Sequence, residues 1–196
     1  LYVMTSREKI LAAVAANQPS LVPLPELNIP PVSQVGKVEK FISVATAIGS
    51  RVFEVKDFEE LKENIAKLFL SPGRAVSSFT ELSDIAETEI PDPDPHSLQD
   101  VNLAVLKAEL GVAENGSMWV PETNMIQRIL PFITQHLVLV LEKTKIINTM
   151  HEAYQMPETQ NPGFGAFIAG PSKTADIEQS LVLGAHGPRS MTIFLM

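Results

Sequence analysis

Apolar residues recur along this chain in two alternating rhythms, one of helical period and one of strand period. A helix carrying Ile10, Leu11 and Val14 is predicted from Ser6, its cap, and ends before a proline-rich passage through Pro19, Pro23, Pro25, Pro30 and Pro31. From Ser33 onward Val35, Val38, Phe41, Ile42, Ala45 and Ile48 keep helical spacing, so one face of this segment should lie on a core. A strand at Arg51 to Val55 follows. Asp57 and Glu60 make an acidic analogue of a capping box ahead of the stripe Phe58, Leu61, Ile65, Leu68 and Phe69, which Pro72-Gly73 closes. Ala75 to Ser78 reads as the next strand.

In Pro91-Asp92-Pro93-Asp94-Pro95 alternate residues lack an amide proton, so neither helix nor central strand can form and an exposed connection is expected. Val101 to Leu106 and Ser117 to Val120 read as strands around Glu114-Asn115-Gly116, where Asn-Gly between β-prone runs is a hairpin signal because both residues tolerate positive φ. The pattern then predicts a short helix near Gln127 to Phe132, a buried strand at Leu137 to Leu141 and a helix near Asn148 to Tyr154. It closes with a strand at Phe164 to Ala169, a helix at Thr174 to Val182 and a strand at Met191 to Leu195. Strands alternating with helices imply an α/β domain over residues 33–196, with a mostly parallel sheet and one β-hairpin, after an N-terminal helix and proline-rich arm over 1–32.

Composition narrows the partners. The 196 residues carry 15 Lys and Arg against 23 Asp and Glu, a formal charge of −8, so no basic footprint exists for a phosphate backbone and nucleic acid is excluded as an expected partner. Seven of those eight units lie in one stretch between Ala75 and Leu106 that holds no Lys or Arg: Glu81, Asp84, Glu87, Glu89, Asp92, Asp94 and Asp100. There is no cysteine, hence no disulfide, no thiolate nucleophile and no thiolate to hold zinc or an iron–sulfur cluster. No run of about 18 apolar residues spans a membrane, and the start is not a basic-then-apolar signal peptide, so a cytoplasmic protein is the default expectation.

Half of the ten glycines crowd into the tail, at Gly163, Gly165, Gly170, Gly184 and Gly187. Gly170-Pro171-Ser172-Lys173-Thr174 runs from a predicted strand into a predicted helix, where free amides, two hydroxyls and an ammonium could hold a carboxylate or phosphate; an ordinary N-cap explains the same residues. Asp176 and Glu178 cannot both face one reactant from a helix, leaving Asp176 as a proton-transfer candidate. His186, Gly187 and Arg189 precede the last strand and could meet the same anion; a surface loop is the plain alternative. Glu114 and Ser117 flank a turn that Asn115 and Gly116 already explain. Familiar signatures are missing: Gly163-Phe164-Gly165 enters a strand without the third dinucleotide glycine, His151-Glu152 lacks a second zinc histidine, and no Walker motif or nucleophile elbow occurs. His96, His136, His151 and His186 lie far apart in sequence and support no metal claim.

Gly163-Phe164-Gly165, Gly-Pro-Ser-Lys-Thr-Ala-Asp-Ile-Glu at 170–178 and Leu-Val-Leu-Gly-Ala-His-Gly-Pro-Arg-Ser at 181–190 together resemble the LUD domain of the lactate-utilization protein C family. The resemblance extends more loosely to Ala113-Glu114-Asn115-Gly116-Ser117, which stands where that family has an Ala-Glu-Thr-Gly-like turn. Lys107 stands where a small polar residue is usual, and Asn115 where Thr is, so a ligand contacted by that turn would be read differently here. The resemblance implies a Rossmann-like fold similar to the ribose-phosphate isomerase and CoA-transferase superfamily. It also implies a part in oxidising L-lactate to pyruvate beside cysteine-rich iron–sulfur partner proteins, which would carry the clusters. On this reading the chain binds a small anionic metabolite or serves assembly. The alternative is a stand-alone enzyme of that fold acting on a phosphorylated or carboxylated metabolite. Ligand contacts are expected from Asn115, Gly116, Ser117, Gly170, Ser172, Lys173, Thr174, Gly187 and Arg189, with Glu114, Asp176 and His186 as proton-transfer candidates.

Overall fold

A computed structural model describes residues 4–23, 25, 36–69, 73–160, 163–175 and 181–196. The chain divides into two compact units, residues 1–31 and 32–196. The first holds α1 (Ser6–Ala16), which Thr5 caps rather than Ser6: the Glu8 amide donates to Thr5 Oγ1 at 3.3 Å, and the Thr5 amide donates to Glu8 Oε2 at 2.7 Å. Two orphan amides are thereby satisfied reciprocally, which needs the cap residue extended and Glu three positions on.

In the second unit the order is α2 (Lys37–Ala47), β1 (Arg51–Glu54), α3 (Phe58–Leu68), β2 (Arg74–Ser77), β3 (Val101–Lys107), β4 (Leu110–Val112), β5 (Ser117–Pro121) and α4 (Leu130–Ile133). There follow β6 (His136–Leu141), β7 (Ile146–Ile147), α5 (Met150–Gln155), β8 (Gly165–Ile168), β9 (Lys173–Ala175), β10 (Leu181–Leu183) and β11 (Ser190–Leu195). Five strands form an all-parallel main sheet in the order β1-β11-β6-β3-β2. Its central strands are near-continuous apolar runs because both faces are covered. Ala104, Leu106, Leu137, Leu139, Met191 and Ile193 point to one side and pack with Phe41 and Ala45 of α2. Leu103, Val105, Val138, Val140 and Phe194 point to the other and pack with Leu61 and Ile65 of α3. Each of those two α3 residues contributes about 1.5–3 kcal/mol by leaving water, whereas the exposed Lys67–Glu63 pair on the same helix is worth about 0.5 kcal/mol or less. The apolar stripe therefore docks α3. Its start is as expected: Asp57 accepts from the Glu60 amide at 2.9 Å, and Glu60 reaches back to the Lys56 amide at 3.0 Å.

A second sheet, β7-β4-β5-β8, carries the Asn-Gly turn. Here the hairpin expectation needs correcting, because β5 pairs with β4 and not with the strand at 101–106, which belongs to the main sheet. Leu110-Gly111-Val112 is too short to announce itself, and Gly111 is there because a Cβ would fall 2.5 Å from Leu141 and 3.2 Å from Phe41.

The tail departs further. Instead of a helix over 174–182, its described ends form an antiparallel ladder, with Leu181 opposite Ala175, Val182 opposite Thr174 and Leu183 opposite Lys173. Pro72 and Asp176 lie outside the described residues.

The acidic connection between β2 and β3 is mostly exposed; Lys62 of α3 pairs with its Asp84, and Arg74 ties it to the sheet. Arg74, at the start of β2, donates to Glu87 at 2.9 and 3.0 Å, to Asp100 at 2.7 Å and to the Ser97 carbonyl. These bonds raise the guanidinium's affinity for its proton and hold the Asp100 carboxyl below its ordinary range.

Candidate functional site

Glycine decides where the two tail and turn motifs meet. Gly116 has φ +68°, and a Cβ there would lie 3.0 Å from the Ala45 backbone; Gly170 has φ +73°, and a Cβ would lie 2.8 Å from the Ile48 carbonyl oxygen. Only a residue without a side chain lets either turn touch the carboxyl end of α2. Gly170 to Lys173 and Gly116 thus share one neighbour, although more than fifty residues separate them. The Lys173 ammonium donates to the Ile48 carbonyl at that helix end, where the macrodipole is negative. Ser172 then stitches the tail: its amide donates to Pro188 O at 2.9 Å, and its carbonyl accepts from Gly184 N at 3.1 Å. Gly187 packs on the Ser172 side chain, since a Cβ would come within 3.2 Å of Ser172 Cβ. Thr174 sits within β9, and the donors of a helix N-terminus imagined for Gly170 to Thr174 are replaced by a strand ladder.

The turn candidates are occupied structurally. Glu114 Oε1 accepts from the Met150 amide at 2.8 Å, at the start of α5, and the Glu114 amide donates to Asn148 O. Asn115 Oδ1 accepts from both the amide and the hydroxyl of Ser117, at 3.0 and 2.7 Å. His186 is exposed in the loop before β11.

Arg189 belongs to a different grouping, one that Arg51 and His136 complete. Arg51, His136 and Ser190 are the first residues of β1, β6 and β11, three adjacent strands of the main sheet. His136 and Ser190 are opposite one another in register, with His136 Nδ1 2.8 Å from Ser190 Oγ. The Arg189 amide donates to Gln135 O at 2.8 Å, which fixes the residue beside this pair. The Arg51 guanidinium lies over the Phe69 ring, 5.3 Å from its centroid, and the same ring lies 5.3 Å from that of His136. Burial, together with the positive charges of Arg51 and Arg189, pushes the His136 imidazole below its ordinary range, so it is neutral at pH 7. Among the described residues no carboxylate pairs with Arg51, Arg189 or Lys173. Among the described residues, the β1, β11 and β6 part of this amino edge therefore carries positive charge without a carboxylate partner, whereas Arg74 at the start of β2 is paired with Glu87 and Asp100. In the sequence Arg51 stands only as the start of a strand and His136 only as a histidine without a metal partner; the signal was a polar pair placed directly before each apolar run, Gln135-His136 before Leu137 to Leu141 and Arg189-Ser190 before Met191 to Leu195.

Charges also gather at the opposite, carboxyl edge, where of the residues involved only Lys107 stands out in the sequence. Lys107 Nζ is 3.0 Å from Glu109, Lys145 is 3.1 Å from Glu158, and Lys143 pairs with Glu54. Asn124 Nδ2 donates to Glu109 Oε1 at 2.8 Å and to Lys107 O at 3.2 Å. Burial pushes the Glu109 carboxyl up, but the Asn124 and Lys107 hydrogen bonds and the charges of Lys107 and Lys145 outweigh it, so it stays ionised. Among the described residues no group of three or more His, Cys, Asp or Glu is arranged to hold a metal ion, and no helix is long and apolar enough to cross a membrane.

Comparison with known proteins bears on this geometry. The family model described as the LUD domain matches residues 95–196, just over half of the chain. The chain belongs to the LUD-domain family. That match takes in the turn, the tail, β6 and β11, so most of the amino edge lies within the LUD domain; Arg51 lies before it. An uncharacterized protein of Neisseria meningitidis serogroup B is 24% identical over 97% of this chain and 93% of its own. A lactate utilization protein C of Anoxybacillus flavithermus is 30% identical over 96 residues, 48% of this chain and 44% of that one. One of Geobacillus thermodenitrificans is 29% identical over 46% of this chain and 40% of that one. The aligned stretch thus spans less than half the length of those two proteins. The crystal structure of a DUF162 family protein from Deinococcus radiodurans superposes with a TM-score of 0.66 at 17% identity, covering 84% of this chain and 99% of that one. At that identity the likeness speaks for the LUD fold alone.

Proposed function

We propose that this LUD-domain chain is a component of a lactate-utilization system that binds a small carboxylate at the amino edge of its main sheet. The observation that carries the reading is the pair Arg51 and Arg189, without a carboxylate partner among the described residues, flanking a neutral His136. Two guanidiniums are well suited to a carboxylate because each presents paired donors, and a neutral imidazole adds a hydrogen bond without a third charge to desolvate. The two similar proteins named for lactate utilization supply the substrate class. These 196 residues hold no cysteine, so an electron carrier of the iron–sulfur type would belong to cysteine-rich partner proteins. The chain's part is then to hold or present the acid.

Calorimetric titration with L-lactate tests the binding. The expected result is saturable binding that weakens about tenfold or more in Arg189→Gln, the loss of a charge-assisted hydrogen bond worth about 1.5–3 kcal/mol. Affinity purification from the native host should recover iron–sulfur proteins with L-lactate-dependent electron transfer. No saturable binding of any carboxylate would overturn the reading.

A further inference from the structure

Phe69 has a second side. The ring that touches Arg51 and His136 also walls a cavity of about 220 Å³ between α3 and the β2–β3 edge of the main sheet, lined further by Ile65, Ala75, Leu103 and Val105. Leu103 is the register neighbour of His136 on β3, so the cavity begins one side chain away from the cationic cluster. Its walls are apolar. The ammonium that borders it, Lys62, already lies 3.2 Å from Asp84 and 3.4 Å from Glu59, so it offers little to an anion. Charge therefore directs a carboxylate to the Arg51 side and leaves the cavity to hydrocarbon. At about 30 Å³ per water-sized group the space holds roughly seven heavy atoms, more than the body of lactate supplies.

We propose that the amino edge takes monocarboxylates longer than lactate, the carboxylate between Arg51 and Arg189 and an apolar chain of about five to seven carbons running past Phe69 into this cavity. The assignment rests on the reading of the edge as an anion site. It adds a chain-length preference that the edge charges alone do not impose, since each buried methylene contributes about 0.8 kcal/mol, a factor of about four in affinity.

The test is a titration series on the intact chain with L-lactate, butanoate, hexanoate, octanoate and decanoate. Affinity should climb about fourfold per methylene and level off near octanoate. Ala75→Leu, which fills the cavity, should flatten the series and leave lactate binding unchanged. Should that variant fail to fold, Ala66→Leu adds the same bulk from the exposed side of α3 where that residue borders the cavity. A series that is flat in the parent chain while lactate still binds overturns the chain-length preference and spares the anion site. A climb that persists in both filled variants also overturns it, because the hydrocarbon would then be held elsewhere. Absence of binding by every acid in the series removes the anion site itself.

Discussion

The two ends of the main sheet hold their charged side chains in different arrangements. At the carboxyl edge Lys107, Lys143 and Lys145 each have a glutamate partner, and Asn124 bridges Lys107 and Glu109. At the amino edge Arg51 and Arg189 have none among the described residues, and their field is strong enough to help keep His136 neutral. In open parallel sheets ligands usually sit beyond the carboxyl ends of the strands. Here, among the described residues, Lys107, Lys143 and Lys145 are paired and Arg51 and Arg189 are not, so under the proposed function pairing rather than position marks the binding edge.

The most damaging way to break the comparison is to lift the tail off α2. Gly170→Val combines a side chain at φ +73° with an approach of 2.8 Å to the Ile48 carbonyl, and should cost about 3 kcal/mol or more in urea unfolding. Next come the guanidiniums. Arg51→Gln and Arg189→Gln should each weaken L-lactate binding about tenfold or more, while Lys145→Gln leaves it unchanged; equal losses at both edges would erase the distinction. Glu114→Gln should lower stability by about 0.5–1 kcal/mol through the weakened cap on α5 and leave carboxylate affinity alone. Lys107→Thr removes a half-exposed pair and should shift stability by about 1 kcal/mol at most, with no effect on binding.

The subtlest test is a slope. Because the folded chain holds His136 below its ordinary range, the unfolded chain takes up a proton first as pH falls. That contribution to stability is whole above pH about 6.5 and is lost on acidification below it. Denaturation midpoints between pH 7.5 and 5.5 should fall less in His136→Asn than in the parent chain.

Much of this fold is written in local pattern. The runs Leu137 to Leu141 and Met191 to Leu195 can only be strands covered on both faces, and the stripe from Phe58 to Leu68 can only be a helix with one dry side. Where the reading failed, the deciding contact was distant in sequence. Ser172 and Thr174 look like helix caps, yet the backbone of Ser172 is engaged by Pro188 and Gly184, and no local rule reveals such a partner. Leu110 to Val112 is a strand only because β5 and β7 flank it. The site shows the same division. Arg189 stood out beside glycine and proline, whereas Arg51 and His136 become neighbours only when β1, β11 and β6 line up their first residues.

Arg74 has a consequence of another kind. In polymer terms the excursion from β2 to β3 is one long closed loop, and the bonds to Glu87 in its middle and to Ser97 and Asp100 near its far end subdivide it, lowering the entropy that the free chain would otherwise regain there. A protease that cuts between Glu89 and Asp94 would consequently release no slack into the sheet, because the two nicked ends stay gathered on a single guanidinium.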